Sequence, residues 1–183
     1  YGLVYVYNTK TNSWRPGTSI PSPTGLNFGG FTISGDTIVY LCGTSSFGSS
    51  TLYNTIYVGV ISQTDRSNIT WTTGTVFPGT TRSFFEANTW KNGIIMTGGS
   101  SNNSLSSYSD ECYTYDLSSQ NWSQLPDKPT ELVTGQSNSV RMPNGEWKLF
   151  CMSGYGSTGY LYEVEIFSDQ PTNVDENEKQ SLI

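Results

Sequence analysis

The sequence predicts an all-β fold, and two observations carry that prediction. Tyrosine, phenylalanine, threonine and glycine are abundant, with 12 tyrosines, 8 phenylalanines and 19 glycines in 183 residues, a balance that favours pleated strands joined by tight turns. In addition, a pattern of short strands ending in glycine recurs about every fifty residues. We therefore expect an incomplete arc of repeated, four-stranded antiparallel units.

Each repeat contains an apolar strand that ends at glycine. The three strands, 37–42, 93–97 and 147–153, lead to Gly43, to the pair Gly98 and Gly99, and to Gly154. Gly43, Gly98 and Gly154 lie 55 and 56 residues apart. A short strand and a turn precede each one, and Asn92-Gly93 and Asn144-Gly145 predict hairpins, because that turn needs positive φ at both central residues.

Aromatic residues complete the repeat. A strand with paired aromatics follows the polar loop after each glycine, and these strands contain Tyr57, Tyr113 and Tyr162. Trp14, Trp71 and Trp122 each follow a polar turn and precede a connection that contains proline. Four short strands per repeat, at this period, describe the blade of a β-propeller.

With this repeat, the chain resembles the kelch family over roughly residues 1–168. Gly98-Gly99, Tyr113 and Trp122 match the kelch pattern best, whereas a single glycine follows Cys42 and Ser153-Gly154 replaces the glycine pair in the last unit. The resemblance implies a kelch-type β-propeller. The repeated residues are assigned to packing, because glycine lets strands crowd together and large aromatics fill the space between blades.

Counting strands divides the chain into units. We expect the end of one blade at 1–15, full blades at 25–77 and 82–125, three strands of a last blade at 136–168, and a polar acidic tail or linker at 169–183. Because propellers commonly close their ring with a borrowed strand, the remaining strand and blades are expected from a missing N-terminal segment or another chain. A fragment of a larger propeller is favoured over an oligomer of two arcs, since the strand at Tyr5 would duplicate the one at Tyr162.

Binding through loops is the function that this fold favours. The resemblance places the second-to-third-strand loops (44–53, 100–110, 155–160) and the interblade connections (15–24, 78–83, 126–136) on one face where partners dock. Aromatics amid Ser, Gly and Asn suit binding loops, and the candidate contact residues are Phe47, Tyr53, Tyr108, Tyr155 and Arg82. Two alternatives stay open: Arg82 holds an interblade turn, and Tyr53 and Tyr108 pack against strand ends.

Composition argues against catalysis. The chain has no histidine, which excludes Ser-His and Cys-His catalysis and disfavours transition-metal sites. Cys42, Cys112 and Cys151 lie in apolar strands and are expected to be buried and structural. We therefore predict no enzyme, no metal and no cofactor. Half of a galactose-oxidase-like copper enzyme is the remaining enzymatic alternative, and it would need every imidazole from outside this chain.

The expected partner is a protein or a glycan. A net charge of −6 without a basic run disfavours nucleic acid, and no stretch reaches the length of a membrane span. The alternative is a structural subunit of a surface assembly or filament. Scarce lysine favours an extracellular or cell-surface location over the cytoplasm. Asn68, Asn102 and Asn121 begin candidate N-glycosylation sequons, about as many as chance predicts.

Overall fold

The computed structural model describes residues 2–22 and 26–170, and these residues contain strands and no helix. The all-β prediction is confirmed. Residue 25, where the second unit was expected to begin, and residues 171–183 of the expected tail lie outside the described residues.

The strands are β1 Val4–Asn8, β2 Ser13–Gly17, β3 Gly30–Ser34, β4 Thr37–Leu41, β5 Ile56–Ile61, β6 Ile69–Thr73, β7 Glu86–Trp90, β8 Gly93–Thr97, β9 Cys112–Asp116, β10 Asn121–Leu125, β11 Gln136–Arg141, β12 Trp147–Gly156 and β13 Gly159–Ser168.

These strands form four antiparallel sheets that follow one another along the chain. Sheet 1 contains β1 and β2, sheet 2 contains β3 to β6, sheet 3 contains β7 to β10, and sheet 4 contains β11 to β13. Within each sheet every strand pairs with its neighbour in sequence. Sheets 2 and 3 are the four-stranded antiparallel units that the repeat predicts.

The hairpins lie where the sequence predicts them, but the turns differ from the prediction. Lys91 and Asn92 form the β7–β8 turn, with φ of 53° at Lys91, because Gly93 already begins β8. The β11–β12 connection spans residues 142–146, with φ of 89° at Gly145. The two-residue Asn-Gly turn is therefore wrong at both places.

Successive sheets pack against each other through two apolar cores. The first strands of sheets 2, 3 and 4 lie side by side, β3 against β7 and β7 against β11. The core between sheets 2 and 3 includes Val39, Ile56, Phe77, Ile94, Met96, Tyr113 and Tyr115. The core between sheets 3 and 4 includes Trp90, Ile95, Leu149 and Cys151. As predicted, all three cysteines are buried, and none forms a disulfide.

A row of backbone hydrogen bonds connects the three sheets just before their first strands. The N–H of Phe84 donates to the carbonyl of Phe28 (2.9 Å), and the N–H of Thr134 donates to the carbonyl of Phe84 (3.0 Å). All three residues have left-handed backbone, with φ of 56°, 56° and 55° in chain order. They therefore occupy equivalent positions in sheets 2, 3 and 4.

Two consecutive left-handed residues directly follow β4 and β8 and form the bulge inside β12, and they correct the alignment of the repeats. The pairs are Cys42–Gly43, Gly98–Gly99 and Ser153–Gly154, with φ of 86°, 106° and 140° at their second members. Gly99, and not Gly98, is thus the counterpart of Gly43 and Gly154. A Cβ at Gly43 would lie 2.6 Å from the carbonyl oxygen of Asn27, which explains why the second position excludes a side chain.

The tryptophans of the outer strands join neighbouring sheets. Trp71 Nε1 donates to the carbonyl of Thr18 (2.9 Å), and Trp122 Nε1 donates to the carbonyl of Thr75 (3.0 Å). Trp14 holds the same position in β2 but is 68% exposed. No sheet precedes sheet 1 in the described part of the chain, so nothing there covers the Trp14 ring.

The last sheet departs from the predicted alignment at Tyr162. This residue was assigned to packing as the counterpart of Tyr57 and Tyr113, but it is 87% exposed. Tyr113 pairs with Met96, and the corresponding residue, Glu165, pairs with Cys151. The β12–β13 hairpin is longer than the others, with a bulge between Met152 and Gly154, and this length displaces Tyr162 from the repeat position.

The start of the expected tail is attached to sheet 4. Asp169 Oδ1 accepts a hydrogen bond from the N–H of Trp147 (2.9 Å), and Asp169 Oδ2 lies 3.0 Å from Lys91 Nζ. Asp169, the first residue of the expected tail, is therefore held between sheets 3 and 4. No helix in residues 2–22 and 26–170 is long and apolar enough to cross a membrane.

Candidate ligand-binding face

One end of the sheets gathers the loops that the sequence marks for binding. Isolated bridges join Asn27 to Thr44 and Ser83 to Ser100, so the segment before each first strand lies beside the loop after each second strand. A third bridge, between Val133 and Tyr155, repeats this contact in sheet 4. Because the row of hydrogen bonds through Phe28, Phe84 and Thr134 lies at the same end, all these loops form one face of the molecule.

Three phenylalanines form an exposed cluster on this face, here called the aromatic patch: Phe28, Phe47 and Phe84. Their ring centroids lie 4.6 Å (Phe28–Phe84), 5.9 Å (Phe28–Phe47) and 6.0 Å (Phe47–Phe84) apart. Phe47 is 65% exposed and Phe28 is 41% exposed. Positive φ is a genuine outlier for a bulky residue, so Phe28 and Phe84 adopt a costly backbone, in which the half-buried Phe84 ring packs against the exposed Phe28 ring.

Buried polar contacts hold the loop that carries Phe47. Asn103 is fully buried, and its Nδ2 donates to the carbonyls of Ser46 (2.8 Å) and Ser49 (2.9 Å). Its Oδ1 accepts a hydrogen bond from Ser83 Oγ (3.1 Å). Asn103 therefore ties the loop of sheet 2 to sheet 3, which fixes the position of Phe47 within the aromatic patch.

A second group of aromatics, the tyrosine cluster of Tyr108, Tyr155 and Tyr160, lies at the same end beside sheet 4. The Tyr108 and Tyr155 ring centroids are 6.1 Å apart, and those of Tyr155 and Tyr160 are 5.4 Å apart. The Tyr108 hydroxyl donates to the carbonyl of Leu105 (2.7 Å). Two predicted contact residues, Tyr108 and Tyr155, are thus brought together.

Arg82 lies inside the protein rather than on this face. Only 2% of its side chain is exposed, and its guanidinium pairs with Glu111. Nη1 donates to the carbonyl of Gly98 (3.1 Å) and to Ser109 Oγ (2.8 Å), and the group lies 5.3 Å from the centre of the Phe77 ring. These contacts occupy the donors of Arg82, so they support the alternative in which Arg82 holds the interblade turn.

The remaining predicted contact residue, Tyr53, is half-buried. Its backbone N–H donates to the carbonyl of Gly43 (2.8 Å), and it lies in neither aromatic group. Phe28 and Phe84 are not among the predicted contact residues, although both stand just before a first strand and are 56 residues apart. This spacing is the sequence signal that they occupy equivalent places in the repeat.

Burial makes the three cysteines chemically unreactive. Burial raises the pKa of Cys42 to about 12, that of Cys112 to about 11 and that of Cys151 to about 12, so the three thiols stay protonated at neutral pH and are poor nucleophiles. Among the described residues, no three Cys, Asp or Glu side chains are grouped so that they could hold a metal ion. A polar cavity of about 340 Å³ lies beside Tyr108, between Thr80 and Asp127.

The three sequon asparagines, Asn68, Asn102 and Asn121, are all exposed. Asn102 is engaged locally, since its Oδ1 accepts hydrogen bonds from Ser100 Oγ and Ser104 Oγ, both at 2.8 Å. The side chains of all three sequon asparagines are thus accessible from the surface.

Comparison with known proteins identifies a similar fold. No family model and no curated protein matches this chain. Among solved structures the chain is similar to the structure of YjhT, with a TM-score of 0.69 and 11% sequence identity, over 92% of this chain and 52% of that chain. The chain thus spans about half the length of that structure. At this identity the similarity shows the fold alone.

Proposed function

We propose that this chain is part of a kelch-type β-propeller. Three features support the proposal. The first strands of consecutive sheets are adjacent, the outer-strand tryptophans donate hydrogen bonds toward the preceding sheet, and glycines stand at equivalent left-handed positions. The exposure of Trp14 and of the outer face of sheet 4 supports the further proposal that other sheets, from elsewhere in a longer chain or from another chain, pack at both ends of the arc.

Within this arrangement we propose a non-enzymatic interaction module that binds a protein or a glycan on the loop face. The observation that carries this proposal is the aromatic patch. Two of its three rings stand on residues with a costly left-handed backbone, and a buried asparagine fixes the loop of the third. A preorganised, exposed group of rings binds at a low cost in conformational entropy.

The chemistry around the patch favours an uncharged contact surface on the ligand. Between residues 26 and 34 and between 44 and 55 there is no charged side chain, and Ser, Thr, Gly and Asn surround the rings. The only charged residue at 80–85 is Arg82, which is buried. An apolar side chain of a protein or the apolar face of a sugar ring would fit such a surface.

The test is a binding screen with matched variants. The wild-type chain would be screened against a glycan array and a peptide-display library, and the affinity of each selected ligand would then be measured for Phe47→Ser and Phe28→Ser. We expect at least a tenfold loss of affinity, since exposed aromatic anchors dominate binding energies. Val60→Ser is the control, because Val60 is exposed at the opposite end of sheet 2. Selected ligands that bind both phenylalanine variants as tightly as the wild type would contradict the proposal.

A second function, a structural subunit of an assembly, has its own supporting observation. The outer face of sheet 4 exposes Tyr160, Tyr162, Val164 and Ile166, and sheet 1 exposes Leu3, Tyr5 and Trp14. Contiguous apolar surface of this kind marks an interface. Analytical ultracentrifugation separates the two functions: concentration-dependent polymers favour the assembly, whereas a monomer favours the binding module.

A further inference from the structure

The tyrosine cluster presents ring faces that the aromatic patch does not use. Tyr108 and Tyr155 meet at an interplanar angle of 54°, and Tyr155 and Tyr160 meet at 78°. Stacked rings cover each other's faces, whereas rings at such steep angles leave neighbouring faces that form a corner. Because the face of an aromatic ring carries partial negative charge, this corner is a surface that attracts a cation.

The surrounding chain holds the rings of the tyrosine cluster in place. The N–H of Tyr155 donates to the carbonyl of Val133 (3.0 Å), and the N–H of Val133 donates to the carbonyl of Tyr155 (2.9 Å). The Tyr108 hydroxyl is fixed by its hydrogen bond to the carbonyl of Leu105 (2.7 Å). Tyr160 pairs with Tyr155 across the β12–β13 hairpin and is 74% exposed. The cluster is therefore preorganised and accessible from solvent.

Three carboxylates near the tyrosine cluster have no ionic partner. Asp110 and Asp127 line the polar cavity beside Tyr108. The segment that contains Glu131 lies against the β12–β13 hairpin, since a Cβ on Gly156 would lie 2.7 Å from the carbonyl oxygen of Glu131. None of the three carboxylates forms an ion pair with another residue in the described part of the chain. Their negative charge is available to a ligand.

The charge of Glu131 acts on the rings themselves. Desolvation is the largest cause that raises the pKa of Tyr108, and the charges of Tyr155 and Glu131 raise it further. Surroundings that disfavour a negative charge on Tyr108 favour a positive charge beside it, because the same Coulomb interaction changes sign with the charge.

The chain's own basic residues do not neutralise these surroundings. Arg82 and Lys128, on the two adjacent connections, are buried and paired with Glu111 and Glu165. Lys128 is the only Lys or Arg between residues 92 and 140. Exposed aromatic faces beside unpaired carboxylates, without a free basic side chain, suit a ligand that is both positively charged and partly apolar.

We propose that the tyrosine cluster binds an alkylammonium group against the faces of Tyr155 and Tyr160, attracted by the charges of Asp110, Asp127 and Glu131. Such a group is carried by the lysine side chain of a partner protein, methylated or not, or by a free choline-like molecule. The inference rests on the proposed function, because it takes the loop face as the face that meets ligands. It adds a cationic contact to the uncharged contact proposed for the aromatic patch.

Two probes of equal shape and different charge test the proposal. The ¹⁵N-labelled chain would be titrated with choline and with 3,3-dimethylbutan-1-ol, in which carbon replaces the charged nitrogen. We expect choline to shift the amide signals at 105–110, 131–133 and 155–160 and to bind about tenfold more tightly than the neutral probe. A titration with N-acetyl-trimethyllysine amide then identifies the source: tighter binding than choline indicates a protein side chain, and weaker binding indicates a free amine.

Matched variants locate the site. Tyr155→Leu removes the ring that contacts both other tyrosines and should weaken choline binding about tenfold, whereas Tyr155→Phe keeps the ring face and should bind like the wild type. Tyr162→Leu is the control, because Tyr162 is 87% exposed and lies outside the cluster. Glu131→Gln should weaken binding about threefold at low salt and less at high salt, since salt screens exposed charges.

Failure of this proposal can be distinguished from failure of the proposed function. Phe47→Ser should bind choline like the wild type, because Phe47 belongs to the aromatic patch and not to the tyrosine cluster. Equal binding of choline and the neutral probe, unchanged choline affinity in Tyr155→Leu, or no amide shifts at the cluster up to about 50 mM choline would each overturn the alkylammonium site. None of these results would change the outcome expected for the aromatic patch.

Discussion

Lys128 and Glu165 form a buried ion pair at the position where the preceding sheets pack Phe77 against Tyr113. Lys128 Nζ lies 3.2 Å from Glu165 Oε2, with side chains 6% and 15% exposed. Phe77 and Tyr113 meet edge to face, with ring centroids 4.9 Å apart. Lys128 and Phe77 each follow an outer-strand tryptophan by six residues, so a charged pair replaces an aromatic pair between sheets 3 and 4.

Removing one member of this pair should destabilise the fold strongly. Glu165→Ala leaves a buried ammonium group without its carboxylate, and we expect a loss of about 3–5 kcal/mol in the free energy of unfolding. The double variant Lys128→Phe with Glu165→Tyr, which copies the preceding interface, should be neutral or stabilising, since apolar replacements of buried pairs often are. Urea denaturation measures both.

Arg66→Ala, which removes an exposed pair with Asp36, is the control and should cost about 0–1 kcal/mol. A double variant as unstable as Glu165→Ala would contradict this account.

Glu86 lies close enough to Lys128 to feel its charge. Its buried carboxyl group should make the free energy of unfolding depend on pH. Burial raises the pKa of Glu86 above its ordinary value, against the opposing hydrogen bonds of Ser137 and Thr97 and the charge of Lys128. The folded state then holds the proton more tightly than the unfolded chain. The stability that this group contributes is present below the unfolded pKa and is lost as pH rises through the folded pKa.

Glu86→Gln, which is neutral at every pH, should therefore match the wild type near pH 4 and be more stable than the wild type near pH 7.5. Paired urea denaturation curves at the two pH values measure the difference. A variant that loses stability relative to the wild type as pH rises would reverse the sign and refute the assignment.

Gly99 should tolerate no side chain. Its φ is 106°, and an added Cβ would lie 2.8 Å from Phe85 Cβ and 2.9 Å from the carbonyl oxygen of Ser83. We expect Gly99→Ala to cost about 2–4 kcal/mol, from backbone strain and overpacking together. Gly145 also has positive φ but open space around it, so Gly145→Ala should cost about 1–2 kcal/mol. Thermal unfolding compares them, and equal costs would mean that the contacts at Gly99 are unimportant.

Asn103 should control the mobility of the Phe47 loop. Its φ of 54° favours Asn or Gly, so Asn103→Gly removes the side chain and keeps the backbone conformation. We expect a loss of about 1–3 kcal/mol, because the carbonyls of Ser46 and Ser49 lose a buried donor, and faster hydrogen exchange at residues 45–51. Gln120→Gly, at an exposed position with φ of 56°, is the control. Unchanged exchange in the loop would mean that other contacts hold it.

The sequence predicted the order of strands and the four-stranded units because both depend on local patterns. Apolar runs that end in glycine, and tryptophans before proline, mark strands wherever they occur. Equivalent positions were harder to align. Gly98 was matched to Gly43 because both directly follow an apolar run, yet the counterpart of Gly98 is Cys42, and only φ reveals the pairing.

The composition of the candidate face was predicted only in part, for a different reason. Phe47, Tyr108 and Tyr155 were found because aromatics in polar loops stand out in a sequence. Phe28 and Phe84 were missed because their place in the patch depends on a left-handed backbone, which phenylalanine rarely adopts. For Arg82 the sequence left two alternatives open, a ligand contact or a structural turn, and only the long-range contacts with Glu111 and Ser109 that enclose it favour the second. Contacts between residues this far apart in the sequence cannot be predicted from local sequence patterns.

The row of backbone bonds through Phe28, Phe84 and Thr134 joins three sheets by main-chain atoms. Amide and carbonyl groups form the bonds, and the Phe28 and Phe84 rings add a side-chain contact between sheets 2 and 3. A substitution at one of these positions would change the side chain on the proposed binding face and leave the backbone hydrogen bonds between the sheets in place. On the function proposed above, single substitutions there would change the ligand preference and preserve the fold.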